Sequence, residues 1–149
     1  MAMRLESILP FLIHRSQNAF IKGRSIFDAV RTIDYILEYA KTKNKPGILV
    51  AIDFEKAFDS LSQTFLVKVL QKFSFGTYFL QCIWTFNAIL SSYVLNNGFS
   101  TNFFSVSHGI RQGDLLSPLL FILSLEILAC YIRQEHNIYS LVINNEEIK

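Results

Sequence analysis

From residue 26 onward, apolar positions recur at helical spacing: Ile26, Val30, Ile33, Leu37 and Ala40 fall on one face, the period of an amphipathic helix. Ser25 stands just before this run and Asp28 three residues after Ser25, a capping-box-like start with Asp in the place of the usual Glu. Lys41, Lys43 and Lys45 crowd the far end, where positive charge suits the helix dipole, and Pro46-Gly47 stops the helix. The pattern then changes. Ile48-Leu49-Val50-Ala51-Ile52 is a short unbroken apolar run after a turn signal, which predicts a buried central strand with Asp53 at its carboxyl end. Helical patterns return at about 62–73 and 77–91. Tyr93-Val94-Leu95 and a run near 103–106 flank Asn97-Gly98, the dipeptide that most strongly signals a hairpin. A loop over 107–116 leads into a last helix, with Ser117 as its N-cap and Pro118 at its first position. Runs at 139–143 and 146–148 around Asn144-Asn145 predict a second hairpin, on whose second strand the sequence stops.

The order helix, strand, helices, hairpin, helix, hairpin predicts an α+β fold, with helices packed on a mainly antiparallel sheet. No repeat, low-complexity tract or linker divides the 149 residues, so a single domain over 1–149 is expected. Hydrophobic residues make up 51% of the chain, against roughly 45–50% on average, and they include fourteen Phe and six Tyr. Such a chain can offset the entropy of ordering, which excludes disorder.

Net charge is +2, split as +4 over residues 1–72 and −2 over the remainder. A mildly basic first half suits a phosphate backbone, among other partners. Cys82 and Cys130 lie within apolar helical patterns and read as buried free thiols of a reducing compartment. No Cys/His spacing fits a zinc site, and the start, with Arg4 and Glu6, lacks the apolar stretch of a signal peptide. Residues 115–132 are apolar enough to suggest a membrane span. They contain Pro118 near the start and Glu126 near the middle, and an ionised group there is costly in lipid. With ~20 clean residues needed to cross a bilayer, a core helix is the better reading, and no membrane partner is expected.

Two stretches carry candidate chemistry. In Asp53-Phe54-Glu55-Lys56-Ala57-Phe58-Asp59, a carboxylate at the end of an apolar strand is rigidly placed to hold a hard cation. By spacing alone, Asp53 could equally cap the next helix, with Asp59 solvated. In Gly109-Ile110-Arg111-Gln112-Gly113-Asp114-Leu115-Leu116-Ser117-Pro118, two glycines allow close backbone approach just before a helix N-terminus, which favours anions. An ordinary glycine loop with a capped helix fits the same residues.

Taken together, these stretches resemble the reverse transcriptases of non-LTR (LINE-type) retrotransposons, and the resemblance runs across nearly the whole chain. Residues Gln17 to Ile26 look like the Q-x-x-F-x-x-G-R-S-I segment of that family, and Ala51 to Leu61 like its first palm motif. Asn96-Asn97-Gly98 sits at its hairpin, and Gly109 to Pro118, followed by Leu119-Leu120-Phe121, looks like G-x-R-Q-G-x-x-x-S-P. The resemblance implies part of a right-hand polymerase, the palm with some of the fingers. It also implies RNA-directed DNA polymerisation by two-metal nucleotidyl transfer in the complete domain. It makes Asp53 the catalytic ligand of Mg2+ (or Mn2+), with the backbone carbonyl of Phe54 as a further ligand. Phe58 becomes the aromatic gate against a 2′-hydroxyl, or else a core phenylalanine. Gln112 lines the nucleotide pocket, Gly113 lets the chain pass close, and Arg111 touches phosphate or template. Lys22 and Arg24 are matched to the nucleic-acid backbone, with a structural salt bridge the other reading of Arg24. Glu55, Lys56 and Asp59 belong to the motif without chemistry and read as helix-start support. The implied partners are RNA template, DNA primer and deoxynucleoside triphosphates, inside the cell in nucleus or cytoplasm.

The departures matter as much. The family's third palm motif is an aromatic-Ala-Asp-Asp turn, and no Asp-Asp pair occurs in this sequence. The upstream fingers segment and the thumb are expected to be missing too, and Leu115 stands where relatives usually have proline. The alternative expectation is a non-catalytic remnant, at most a weak nucleic-acid- or partner-binding module, with exposed faces that favour self-association.

Overall fold

The computed structural model of the chain describes residues 1–88, 91–106, 108–143 and 146–148. Among these are helices α1 (Ala2–Leu12), α2 (Ile26–Thr42), α3 (Gln63–Lys72), α4 (Thr77–Ala88) and α5 (Ser117–Gln134), together with strands β1 (Ser91–Ser92), β2 (Leu95–Asn96), β3 (Phe99–Ser100), β4 (Phe104–Ser105), β5 (Leu141–Ile143) and β6 (Glu146–Ile148). They fall into two compact units. One comprises Met1–Asp53 with Ile122–Lys149, the other Phe54–Phe121.

Local chemistry sets the helix starts. The Ser25 hydroxyl accepts from Phe27 N at 3.2 Å at the head of α2, and the Ser62 hydroxyl accepts from Phe65 N at 3.3 Å at the head of α3. Each supplies an acceptor to a backbone N–H that the helix itself leaves without one. At α5 the sequence named Ser117 as the cap. There Ser117 is the first residue of the helix and is buried, and just ahead of the helix Asp114 Oδ1 accepts from Leu116 N at 3.1 Å. Helix α1 was not anticipated. It holds Pro10 in its last turn and has no side-chain cap, so it carries none of the usual start signals.

In the first unit, Leu5 and Leu9 of α1, Ile13, Ile21, Ile122 and Leu123 of α5, and Ile143 are buried. Glu126 is buried among these apolar neighbours in sequence and pairs with Arg133 two turns along α5. The Cys130 thiol lies between them in sequence, 3.3 Å from the guanidinium, and both cysteines are free and only half-buried. By length and composition α5 could cross a membrane, but Leu120, Ile122 and Leu123 are covered by protein. The Lys45 ammonium closes the end of α2, donating to Val142 O of β5 at 3.1 Å beside the Tyr39 ring.

In the second unit, α3 packs on α4, with Leu66, Val69, Leu70 and Ile83 buried and Phe75 stacked on Phe79 at 4.8 Å between centroids. A long hairpin follows. Its inner ladder joins Leu95 to Ser100 and Asn96 to Phe99, and its outer ladder joins Ser91 to Ser105 and Ser92 to Phe104. Asn97 and Gly98 both take positive φ, 49° and 84°, the geometry of the tight turn whose twist matches paired strands.

Two expectations are corrected. The described strands form three separate two-stranded antiparallel ladders, not one sheet beneath the helices. The α+β character stands, but the core is built mainly by helices. Residues 48–52, read as a buried central strand, carry no ladder and are exposed, Ile48 at 93% and Val50 at 70%. A strand exists through its neighbours, and among the described residues none pairs with this run. Helix α2 likewise forms as expected, yet no residue of it is buried.

Leu70 is fully covered, so Leu70→Ala is expected to cost about 2–5 kcal/mol, read as a lower urea midpoint at unchanged slope.

Candidate functional site

The segment Gln17–Ile26 is explained by chain geometry. Phe20 and Gly23 take left-handed φ, 56° and 81°, and bend the chain back toward α1. The Arg24 guanidinium then donates to four carbonyls: His14 at 2.6 Å, Gln17 at 2.7 Å, Ile13 at 3.1 Å and Pro10 at 3.2 Å. Two of these, Pro10 and Ile13, are at the carboxyl end of α1, which leaves acceptors unfilled. Its partners are therefore carbonyls, not the carboxylate of a salt bridge. Lys22 next to it is exposed.

Residues 54–61 fold as a tight turn and not as the start of a helix. Lys56 takes φ 48°, and its carbonyl accepts from Asp59 N, Ser60 N and the Ser60 hydroxyl at 2.7–2.9 Å. This corrects the helix-start reading of Glu55, Lys56 and Asp59, and with it the idea that Asp53 caps a helix: the next helix begins at Gln63 on the Ser62 cap.

The glycine loop closes on this turn. Gly109 N donates to Leu61 O and Ile110 N to Phe58 O, both at 2.9 Å. Gly109 sits at φ 87°, and a Cβ there would lie 3.0 Å from both Cα and O of Asp59. A side chain here would press on the backbone of the turn, which would have to give by a few tenths of an ångström. Gly113 also needs positive φ, 85°, but has open space around it. Of the two loop glycines expected to allow close backbone approach, Gly109 is the one that meets the turn. Gln112 Nε2 then reaches across to Asp59, 3.1 Å from Oδ1 and 3.2 Å from Oδ2. Beside this junction is an open cleft of about 330 Å³, lined by Asp59, Val106, His108, Arg111 and Gln112 among others.

Phe121, in the first turns of α5, fixes the aromatic pair of the turn. Its ring lies 5.3 Å from that of Phe58 and edge-on to Phe54 at 6.4 Å, separations at which rings attract. Phe58 is half-buried and Phe54 more exposed. The second unit thus brings together Phe54, Phe58, Arg111, Gln112 and Gly113. Asp53, which closes the first of the two segments of the first unit, ends the extended run and is exposed. Among the described residues, no three His, Cys, Asp or Glu side chains converge to hold a metal ion. Sequence reasoning missed Phe121 and the pairing of Asp59 with Gln112.

The sequence profile described as "Reverse transcriptase (RNA-dependent DNA polymerase)" matches residues 1–143. The Transposon TX1 uncharacterized 149 kDa protein of Xenopus laevis is 34% identical over 133 residues, 89% of this chain and 10% of that protein. The Retrovirus-related Pol polyprotein from type-1 retrotransposable element R2 of Popillia japonica is 25% identical over 103 residues, 69% of this chain and 17% of that protein. The corresponding polyprotein from type-2 element R2DM of Drosophila melanogaster is 26% identical over 105 residues, 70% and 10%. The chain therefore spans between 10% and 17% of the length of these relatives.

Gly109→Ala is expected to destabilise the chain by about 1–3 kcal/mol from its left-handed backbone alone, and by more from the contact with Asp59. Gly113→Ala is expected to cost only the backbone part. Paired urea titrations of the two variants measure the difference.

Proposed function

The chain belongs to the reverse transcriptase (RNA-dependent DNA polymerase) family, and from that premise we propose that it is part of an RNA-directed DNA polymerase of a non-LTR mobile element. In this reading it supplies palm and some of the fingers. RNA template, DNA primer and deoxynucleoside triphosphates are the partners of the complete domain. The observation that carries the reading is the junction of the two motifs. The loop with Gln112 is hydrogen-bonded to the turn with Phe58, beside a cleft of about 330 Å³, a volume within the usual range for small-ligand sites.

Each residue then has a physical task. The Phe58 ring, held against Phe121, is a flat wall that leaves no room for a 2′-hydroxyl. Arg111, exposed at the cleft, offers a guanidinium suited to phosphate oxygens. Lys22 offers an exposed charge to a nucleic-acid backbone, adding salt-dependent affinity without sequence preference. Arg24 gives its donors to four carbonyls, so its contribution is to hold the loop that carries Lys22.

Reverse transcriptases use divalent metal ions, which when bound activate the primer hydroxyl and neutralise charge on the transferred group. Asp53 and the carbonyl of Phe54 are the ligands this chain would offer. One carboxylate does not compensate two divalent ions, and the described residues bring no cluster of ligands together. The residues present do not fit the pair of ions by themselves, which favours the second reading for the isolated chain: no catalysis without further carboxylates.

Incorporation of labelled deoxynucleotide on a primed RNA template tests both parts. The complete polymerase containing this chain is expected to incorporate label, and Asp53→Ala to lower kcat by at least ~10³-fold, the scale of losing a principal charge-stabilising group. The 149-residue chain alone is expected to incorporate none. Full activity in Asp53→Ala, or label incorporated by the short chain, would overturn the reading. In the complete enzyme, Phe58→Val is expected to narrow the preference for deoxynucleotides over ribonucleotides at least ~10-fold in kcat/KM, a change of the size a reshaped pocket produces.

A further inference from the structure

Gln112 is a side chain with three rotatable bonds at the mouth of an open cleft, and freezing such a chain costs rotamer entropy. A residue that must meet a nucleotide in one orientation gains from being held before the ligand arrives. The partner that holds it is Asp59, 53 positions away in sequence. Nε2 of Gln112 lies within hydrogen-bond distance of both carboxylate oxygens, 3.1 and 3.2 Å. An ionised carboxylate only accepts, so the amide nitrogen must face Asp59 and the amide oxygen must face away.

The pair is not a chance meeting of two surface chains. The backbone around it is pinned by Gly109 N to Leu61 O and by Ile110 N to Phe58 O, both at 2.9 Å. Gly109 also lies against Asp59 itself, where a Cβ would fall 3.0 Å from its Cα and O. These contacts fix the distance between the two Cα atoms without help from either side chain. Oε1 of Gln112 makes no hydrogen bond among the described residues. Both partners line the cleft.

We propose that Asp59 is a positioning residue of the nucleotide site. It turns the Gln112 amide so that a fixed acceptor, and not a donor, faces the incoming nucleotide. Gln112 then meets a hydrogen-bond donor of that nucleotide and not a phosphate oxygen, while Arg111 remains for the anionic part. The proposal rests on the polymerase reading of Gln112 and Phe58 and adds to it a role for an aspartate that touches no substrate.

Two measurements decide it. In the 149-residue chain labelled with 15N, the Gln112 side-chain amide, assigned by its disappearance in Gln112→Ala, is expected to lie away from the position of solvated glutamines. It is expected to return there in Asp59→Ala, with backbone resonances outside the junction unmoved. A Gln112 amide already at the solvated position in the parent chain overturns the proposal, whatever the enzyme does. In the complete polymerase, Asp59→Ala, which removes both acceptor oxygens, is expected to raise the KM for deoxynucleotide about tenfold with kcat changed less than threefold, the mark of lost binding rather than lost chemistry. Asp59→Ala combined with Gln112→Ala is expected to be no worse than Gln112→Ala alone, because residues acting through one contact do not add. Fully additive losses, or an unchanged KM in Asp59→Ala, sink the role of Asp59 while leaving Gln112 in the pocket. No effect of Gln112→Ala on KM or kcat sinks the pocket reading itself, and the proposal with it.

Discussion

Two backbone hydrogen bonds, from Gly109 to Leu61 and from Ile110 to Phe58, hold the candidate site together. They are made by groups that every residue carries, so the side chains around them are free to serve other ends. What the sequence must provide is permission for the chains to meet. That permission is a missing Cβ at residue 109 and a backbone that takes positive φ there. Once the loop and the turn are joined, Phe58, Asp59 and Gln112 have their relative positions with little further choice. A side chain at 109 would have to take a strained positive φ and push the turn back by a few tenths of an ångström.

The same division of labour recurs in the first unit. Arg24 belongs to a motif that reads as a family marker, yet its guanidinium is engaged with the carbonyls of Pro10, Ile13, His14 and Gln17. Charge-assisted hydrogen bonds of this kind are stronger than neutral ones. One cation therefore finishes a helix, binds a bend and sets the entry to the next helix in a single stroke. Gly23 and Phe20 supply the bend, and Ser25 the cap.

How much of this was legible depends on how far each feature reaches along the chain. The cap at Ser25 and the turn at Asn97-Gly98 are local, and the sequence announces them. Helix α1 was missed because Pro10 and the absence of a capping side chain hide its pattern. The run at 48–52 was misread for the opposite reason: its composition is that of a strand, but pairing is a property of two segments. The aromatic pair and Gln112 were readable as candidates through resemblance alone. The link from Asp59 to Gln112 was not, since no spacing rule connects residues 53 positions apart. Glu126 shows an intermediate case. Its place in an apolar segment argued against a lipid setting, and its partner Arg133 lies two turns along the same helix.

The exposed run at 48–52 has one more consequence. Five apolar residues, two of them isoleucine and one valine, with unused backbone donors and acceptors make a template on which other copies could stack edge to edge. The flanks answer that hazard. Lys41, Lys43 and Lys45 with Pro46 precede the run, and Asp53, Glu55 and Lys56 follow it. Charges and a proline in these positions act as gatekeepers, since stacking in register would bring like charges together at every layer. In such a stack the carboxylate of Asp53 would meet its own copy at every layer, an arrangement that like charges oppose.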